Sequence, residues 1–561
     1  MISATIARLI QSPPFPDRLR QSRQVVDSLV GAAKAHAARG NDDAALALVS
    51  VAVTVSRRRH TGRFTNAEVE DLLLRLSGRL PASTPLAGAA PLGDEPARDS
   101  VLHVMTRCYA AGGHTRLVER WITGRAQVVS SLVLTSPESA EPPATLIEAV
   151  QRSGGQVHLL SGTAMGRAGA LRALALSSDT VVFAIHENDL VPSLALSAVS
   201  DRPPIVIINH ADHVFWVGAT IADVLVNLRP ASADLAVRRR GIPRDRCAVV
   251  PLPVSTFDRT MTRDDAKRAL GVGVEKKLLV TVGWRYKFTP FAGHDLIAAL
   301  VPVLADPDVH LIAIGPNEAD EPWASAHAHY GSRVRAVGRQ ADTHTFLEAA
   351  DVYLDSFPIP SLTATLEAGM FGLPVVGLSL DAPSWPATLT NDDPTLTGHV
   401  FADVTEFRER IKHLLSDPVA RSSVARSLKL AIDASHGSGE WNAWIDQLRD
   451  TVKHSVGPRE HPKQRGADRT GPEDVILATH LADSEDRLVR HELRFSPSLV
   501  DGGSEYLDII NAGLKRLDSL LLGSAAPRSP EYAAALRISR SMSPWRLQAR
   551  AMRTALAGTV R

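Results

Sequence analysis

Between about residues 100 and 455 the sequence alternates short apolar runs with helical stretches, and it does so twice. The first series is VLHVMTRC (101–108), then 129–135, 156–160, 180–185, 205–209, 223–226 and 247–250. The second opens at KKLLVTVG (276–283) and continues through VHLIAIG (309–315), RVRAVG (333–338) and a strand–loop–helix–strand segment at 351–378. Its helices fall near 293–305, 342–349, 404–416 and 439–454. Strands that alternate with helices build parallel, doubly wound sheets. The expectation is an α/β protein with two consecutive Rossmann-like domains, 100–255 and 256–455.

The flanks read differently. Residues 1–80 predict a helical module, with Asn41-Asp42-Asp43 capping a helix over Ala44–Ser56 and Thr65-Asn66 capping another that ends near Leu80. The run Arg57-Arg58-Arg59-His60 between them reads as a solvated face. Residues 81–99, rich in Pro, Ala and Gly, form a first linker, and 456–472 a polar second one. In the 473–561 tail, Leu507, Ile510, Leu514, Leu517 and Leu521 make an apolar helix stripe. After Glu531 come six arginines and no acidic residue, with Trp545 and aliphatics between them. Such a segment suits either an anionic membrane surface or packing against the core or a second subunit, which leaves a homo-oligomer open.

Composition narrows the function classes. A net charge of +1 over 561 residues argues against general nucleic-acid binding. Two cysteines, Cys108 and Cys247, make no disulfide framework and no zinc constellation, and neither a signal peptide nor an 18-residue apolar span is read. The expected location is the cytoplasm, with peripheral contact at the inner face of the membrane through the tail.

Three segments carry chemistry. In DVYLDSFPIPSLTATLEAGMFGLPVVGL (351–378), Ser361, Thr363 and Thr365 surround a helix start, where unpaired N–H groups and the macrodipole favour a phosphate. Glu367 follows one turn inside, within reach of a sugar hydroxyl. Ala110-Ala111-Gly112-Gly113-His114-Thr115-Arg116 follows the first strand of the first sheet, where Gly112 and Gly113 permit close backbone approach and His114 projects into the cleft. Val282 to Pro290 follows the first strand of the second sheet. Arg285 and Lys287, alternating along an extended segment, would offer two cations to a departing diphosphate without a metal. A weaker candidate is Ile208-Asn209-His210-Ala211-Asp212-His213, in which His210 lines the acceptor side and Asp212 orients a histidine. A metal at its His-x-x-His spacing lacks an evident third ligand. His186-Glu187-Asn188-Asp189 lies after another strand end, and Asp306-Pro307-Asp308 reads as a turn.

Together these motifs resemble the GT-B glycosyltransferases, and among them the O-GlcNAc transferase-like and bacterial surface-glycan group. The resemblance rests on Tyr286-Lys287-Phe288-Thr289-Pro290, Leu354-Asp355-Ser356, Thr363-Ala364-Thr365, Glu367, Gly372 and Pro374-Val375-Val376. Leu362 stands where that group usually has histidine. The terminal stretch Ser539–Leu547 is similar to a tail of bacterial polysaccharide glycosyltransferases. The resemblance implies sugar transfer from a nucleotide-diphosphate sugar, UDP-linked, to a hydroxyl on a surface glycan or protein, with no cofactor beyond that co-substrate. It implies phosphate contacts from Lys287, Thr363 and Thr365 and a ribose contact from Glu367. Ile359, where retaining relatives often carry a second Glu, favours inversion, with His114 or His210 as the base. A retaining transferase, a UDP-sugar 2-epimerase and a non-catalytic sugar-nucleotide scaffold remain as alternatives.

Overall fold

The computed structural model describes residues 15–81, 99–437 and 441–448, apart from 110–112, 126, 138, 140, 255–257, 291–293, 380–390 and 446, together with residues 439 and 474. Gly112, the apolar stripe at 507–521, the basic tail and the second linker fall outside them.

The first sheet is built from β1 (Ser100–Met105), β2 (Val129–Leu134), β3 (Val157–Leu159), β4 (Thr180–Ala184), β5 (Ile205–Asn209), β6 (Val224–Asn227) and β7 (Cys247–Val249). The second comprises β8 (Lys277–Val282), β9 (Val309–Ile314), β10 (Val334–Ala336), β11 (Val352–Leu354), β12 (Val375–Leu378) and β13 (Val400–Phe401). Their orders are β3-β2-β1-β4-β5-β6-β7 and β10-β9-β8-β11-β12-β13, with every pairing parallel. Both are doubly wound Rossmann-like sheets, as the alternation predicts. In each, the order reverses beside the first strand, between β1 and β4 and between β8 and β11. Connections leave those neighbouring strands in opposite directions there, opening a crevice at the carboxyl edge.

The helical module packs Phe15–Ala38 against Asp42–Arg58, followed by a shorter helix over Ala67–Ser77. Asn66 caps that last helix, its side chain accepting from Glu68 N at 3.0 Å and Val69 N at 3.4 Å. Asn41 occupies the N-cap of the middle helix, but its side chain makes no capping bond. Glu70 ties the module to the first Rossmann-like domain. Its buried carboxylate accepts from Gly218 N at 2.7 Å, Ala219 N at 3.3 Å and Thr220 Oγ1 at 2.7 Å. Burial raises its pKa and these donors oppose the rise.

The Arg57–His60 run is not the solvated face the sequence suggests. Arg57 pairs with Glu187 at 3.0 Å, and buried His60 meets Asp474 at 2.6 Å. Asp474 also accepts from Arg239 at 3.0 Å. The run looks like surface because its partners lie more than 100 positions away in the chain, beyond any local pattern.

Candidate functional site

Each crevice carries one of the sequence motifs. In the second sheet, the loop after β8 and the loop after β11 face each other across the reversal. Asp355, at the end of β11, organises the second loop. Its Oδ1 accepts from Ser356 N and Ser361 N, both at 2.8 Å, and its Oδ2 from Asn391 Nδ2 at 2.9 Å. The Ser361 and Ser356 hydroxyls are 2.8 Å apart. The helix Leu362–Met370 then begins, with Thr365 N donating to Ser361 O at 2.9 Å as its first turn. The N–H groups of Leu362, Thr363 and Ala364 precede that bond and have no intrahelical acceptor. Asp355 is a site residue that no local pattern marks as one, although it stands in the Leu-Asp-Ser triplet.

The loop after β8 corrects the expected geometry. Arg285–Phe288 is a single 3-10 turn, not an extended segment. Two residues along such a turn, side chains diverge by about two-thirds of a revolution instead of sharing a side. Exposed Arg285 therefore turns out toward Asp320 at 3.5 Å. Lys287 turns inward, its Nζ donating to Pro360 O at 2.8 Å, beside the helix start. Burial pushes Lys287 down to about 8, against the pull of Asp355 and Asp212. Gly283 permits this packing, since a Cβ there would stand 3.1 Å from both Ser356 Cβ and Ser361 Oγ.

The first sheet supplies the opposing wall. Its first helix starts at Gly113. A Cβ at Gly113 would lie 3.7 Å from Thr363 Cγ2, so the two helix starts meet across the cleft. One turn further in, Arg116 stands 3.8 Å from Glu367. Burial raises the Glu367 pKa, while Arg116, Arg120 and His344 draw it down. Thr365 differs from the expectation. It is completely buried beside the Tyr353 phenol, so its side chain is not presented to the cleft.

Three histidines gather at the first crevice. His114 stacks on His210 with ring centroids 4.3 Å apart, and His186 lies 6.1 Å from His114. Burial holds His114 well below the ordinary histidine range, and its two histidine neighbours push it the same way. Its Nε2 has no hydrogen-bond partner among the described residues. A neutral imidazole with an unused nitrogen is the form that can accept a proton. His210 is also lowered by burial, and its Nδ1 lies 3.3 Å from Ile208 O.

Behind them, Asp212 orients His213 at 3.2 Å, as the sequence suggests. Its stronger partner is Arg229, at 2.7 Å, with Ser232 as a further donor. Arg229 was not singled out from sequence, because nothing local distinguishes it from other surface-type arginines. The two halves also join here: Asp392 accepts from Ala231 N at 2.6 Å. Buried His436 contacts Leu252 O at 2.8 Å and Asp393 at 3.2 Å.

Residues 276–417 match the family described as "Glycosyl transferases group 1". This stretch holds Lys287, Ser361, Thr363 and Glu367. No curated protein matches the sequence. Among solved structures, the chain is similar to Anabaena HepE, solved with UDP and glucose, at 14% identity and a TM-score of 0.46, covering 62% of this chain and 99% of that one. It is also similar to a mutant O-GlcNAc transferase of Thermobaculum terrenum, at 16% identity and a TM-score of 0.48, covering 78% and 82%.

Proposed function

We propose that this chain is a glycosyltransferase that moves a sugar from a UDP-sugar to a hydroxyl of a surface glycan or protein, with inversion and without a metal. The observation that carries the reading is that the glycosyl transferases group 1 match contains the whole inward-facing set around the helix start at Ser361. The diphosphate would sit against the N–H groups of Leu362–Ala364 and the Lys287 ammonium, and Glu367 would take the ribose hydroxyls. Fixed donors and a desolvated cation stabilise the charge that builds on the leaving diphosphate. The acceptor oxygen attacks the anomeric carbon as the carbon–oxygen bond to the diphosphate breaks, and the acceptor proton passes to His114 Nε2. His114 is favoured over His210 because its Nε2, though buried, makes no hydrogen bond among the described residues. Approach of the two domains excludes water from the donor.

A nucleotide-sugar screen by thermal shift tests the donor half, because a ligand bound to the native state raises apparent stability. Transfer by the best donor should need acceptor and survive EDTA. Conversion of donor sugar without acceptor would indicate an epimerase, and a retained anomeric configuration would overturn inversion. In His114→Ala, UDP binding measured by calorimetry should stay within about twofold of wild type while kcat falls by about 10²–10⁴-fold, the usual range for a lost general base. Unchanged kcat would move the base elsewhere.

A further inference from the structure

At the amino-terminal edge of the first sheet, on the side away from the cleft, lies a cavity of about 80 Å³. One water needs about 10–15 Å³, so the space takes several waters or one small ring. Its floor is Val101, Val182 and Val206 of three neighbouring strands, and its roof is Trp121 with Ile445 and Leu448 of the segment that returns from the second domain. The floor and roof are thus mostly apolar, while Asp99, Arg125 and Asp179 also line the cavity. The exception in the floor is His103, which is 1% exposed. Neither of its ring nitrogens has a hydrogen-bond partner among the described residues. Burial pushes it down to about 3, so the ring is neutral and carries one N–H donor and one bare acceptor. Trp121 meets it edge-on, with centroids 5.9 Å apart.

A buried donor and acceptor left unmade are costly, and native interiors almost always satisfy such groups. The alternation of β1 places an apolar residue at positions 101 and 105 of this face, so packing alone does not call for a histidine at 103. We propose that the cavity is a binding site for an uncharged, single-ring molecule bearing one hydroxyl, whose polar group bonds His103 while the ring packs under Trp121. The neutral imidazole itself supplies no counter-charge, and the apolar floor and roof would desolvate a charged group placed against them. The site is separate from the cleft, and it joins the first sheet to the segment carrying Ile445 and Leu448.

Phenol and benzene are the probes, used on the full chain. Phenol should bind saturably and at least tenfold more tightly than benzene, and should shift the imidazole ¹⁵N resonances of His103, which benzene should leave in place. In His103→Leu the preference for phenol should fall to within twofold of benzene. Equal binding of both probes by the wild type, or binding of neither, overturns the proposal and leaves a void that holds water or nothing. The wild-type comparison decides the matter even if the variant does not fold.

Discussion

Replacing Lys287 by alanine should lower kcat/KM for transfer by about 10²–10³-fold or more, the range seen when one fixed charge-stabilising donor is lost, while the protein remains folded. Among the described residues the Lys287 side chain makes one hydrogen bond, to Pro360 O, and Asp355 keeps its three donors when the lysine is gone. Circular dichroism and the unfolding midpoint check the fold, and steady-state kinetics check the chemistry. Full activity in Lys287→Ala would remove the mechanism. The same residue sets the alkaline limb. Its pKa is lowered to about 8, so the free enzyme carries the cation below that pH and loses it above. Plots of kcat/KM should therefore fall as pH rises past about 8, since they report the free enzyme. A bound diphosphate favours the charged amine, so the limb in kcat should lie higher. On the acid side, His114 is held well below the usual histidine value, so activity should persist well under pH 6.5.

A large effect on stability should come from Gly315→Ala. Gly315 has φ of +118°, and a Cβ there would lie 1.9 Å from the Gly283 carbonyl oxygen. That contact is with backbone at the end of β8, so no side chain can swing aside. The expected loss exceeds about 3 kcal/mol, among the severe single substitutions. Gly398→Ala is the control: φ is +79° but no atom of the described residues lies within 4 Å of where a Cβ would stand. It should cost only about 1 kcal/mol, the ordinary penalty of a left-handed alanine. Denaturant midpoints of the two variants should separate clearly; equal losses would mean that dihedral strain, not the clash, governs. Any Gly315→Ala protein that folds should also bind UDP more weakly, because the clash pushes on the loop that places Lys287.

The two sheets were legible because strands buried on both faces carry unbroken apolar runs, and runs separated by helices admit little except a parallel sheet. What escaped notice was short or distant. β13 is two residues long and shows no period. The helix Pro418–His436 did carry its signals, an Asp417 cap and Pro418 at its first position, but its polar surface hid them. At the site, the small residues and the inward lysine were visible as types. Their directions were not, because a 3-10 turn and an extended segment share the sequence Arg285-Tyr286-Lys287. The carboxylates that hold the site together, Asp355, Asp212 and Asp392, act on residues far away in the chain or around a loop, and no spacing rule records such bonds.

Asp355 has a further consequence for turnover. It already uses the N–H of Ser361 and attracts Lys287, so the helix start is a seat for anions that has a resident anion beneath it. On the proposed reading, the diphosphate must share the lysine with this carboxylate at every stage of the cycle. The spent nucleotide, with one more ionisable phosphate oxygen than the intact donor, meets the greater repulsion. The aspartate that builds the seat thereby also helps to empty it, which sets product release against tight binding in a single side chain.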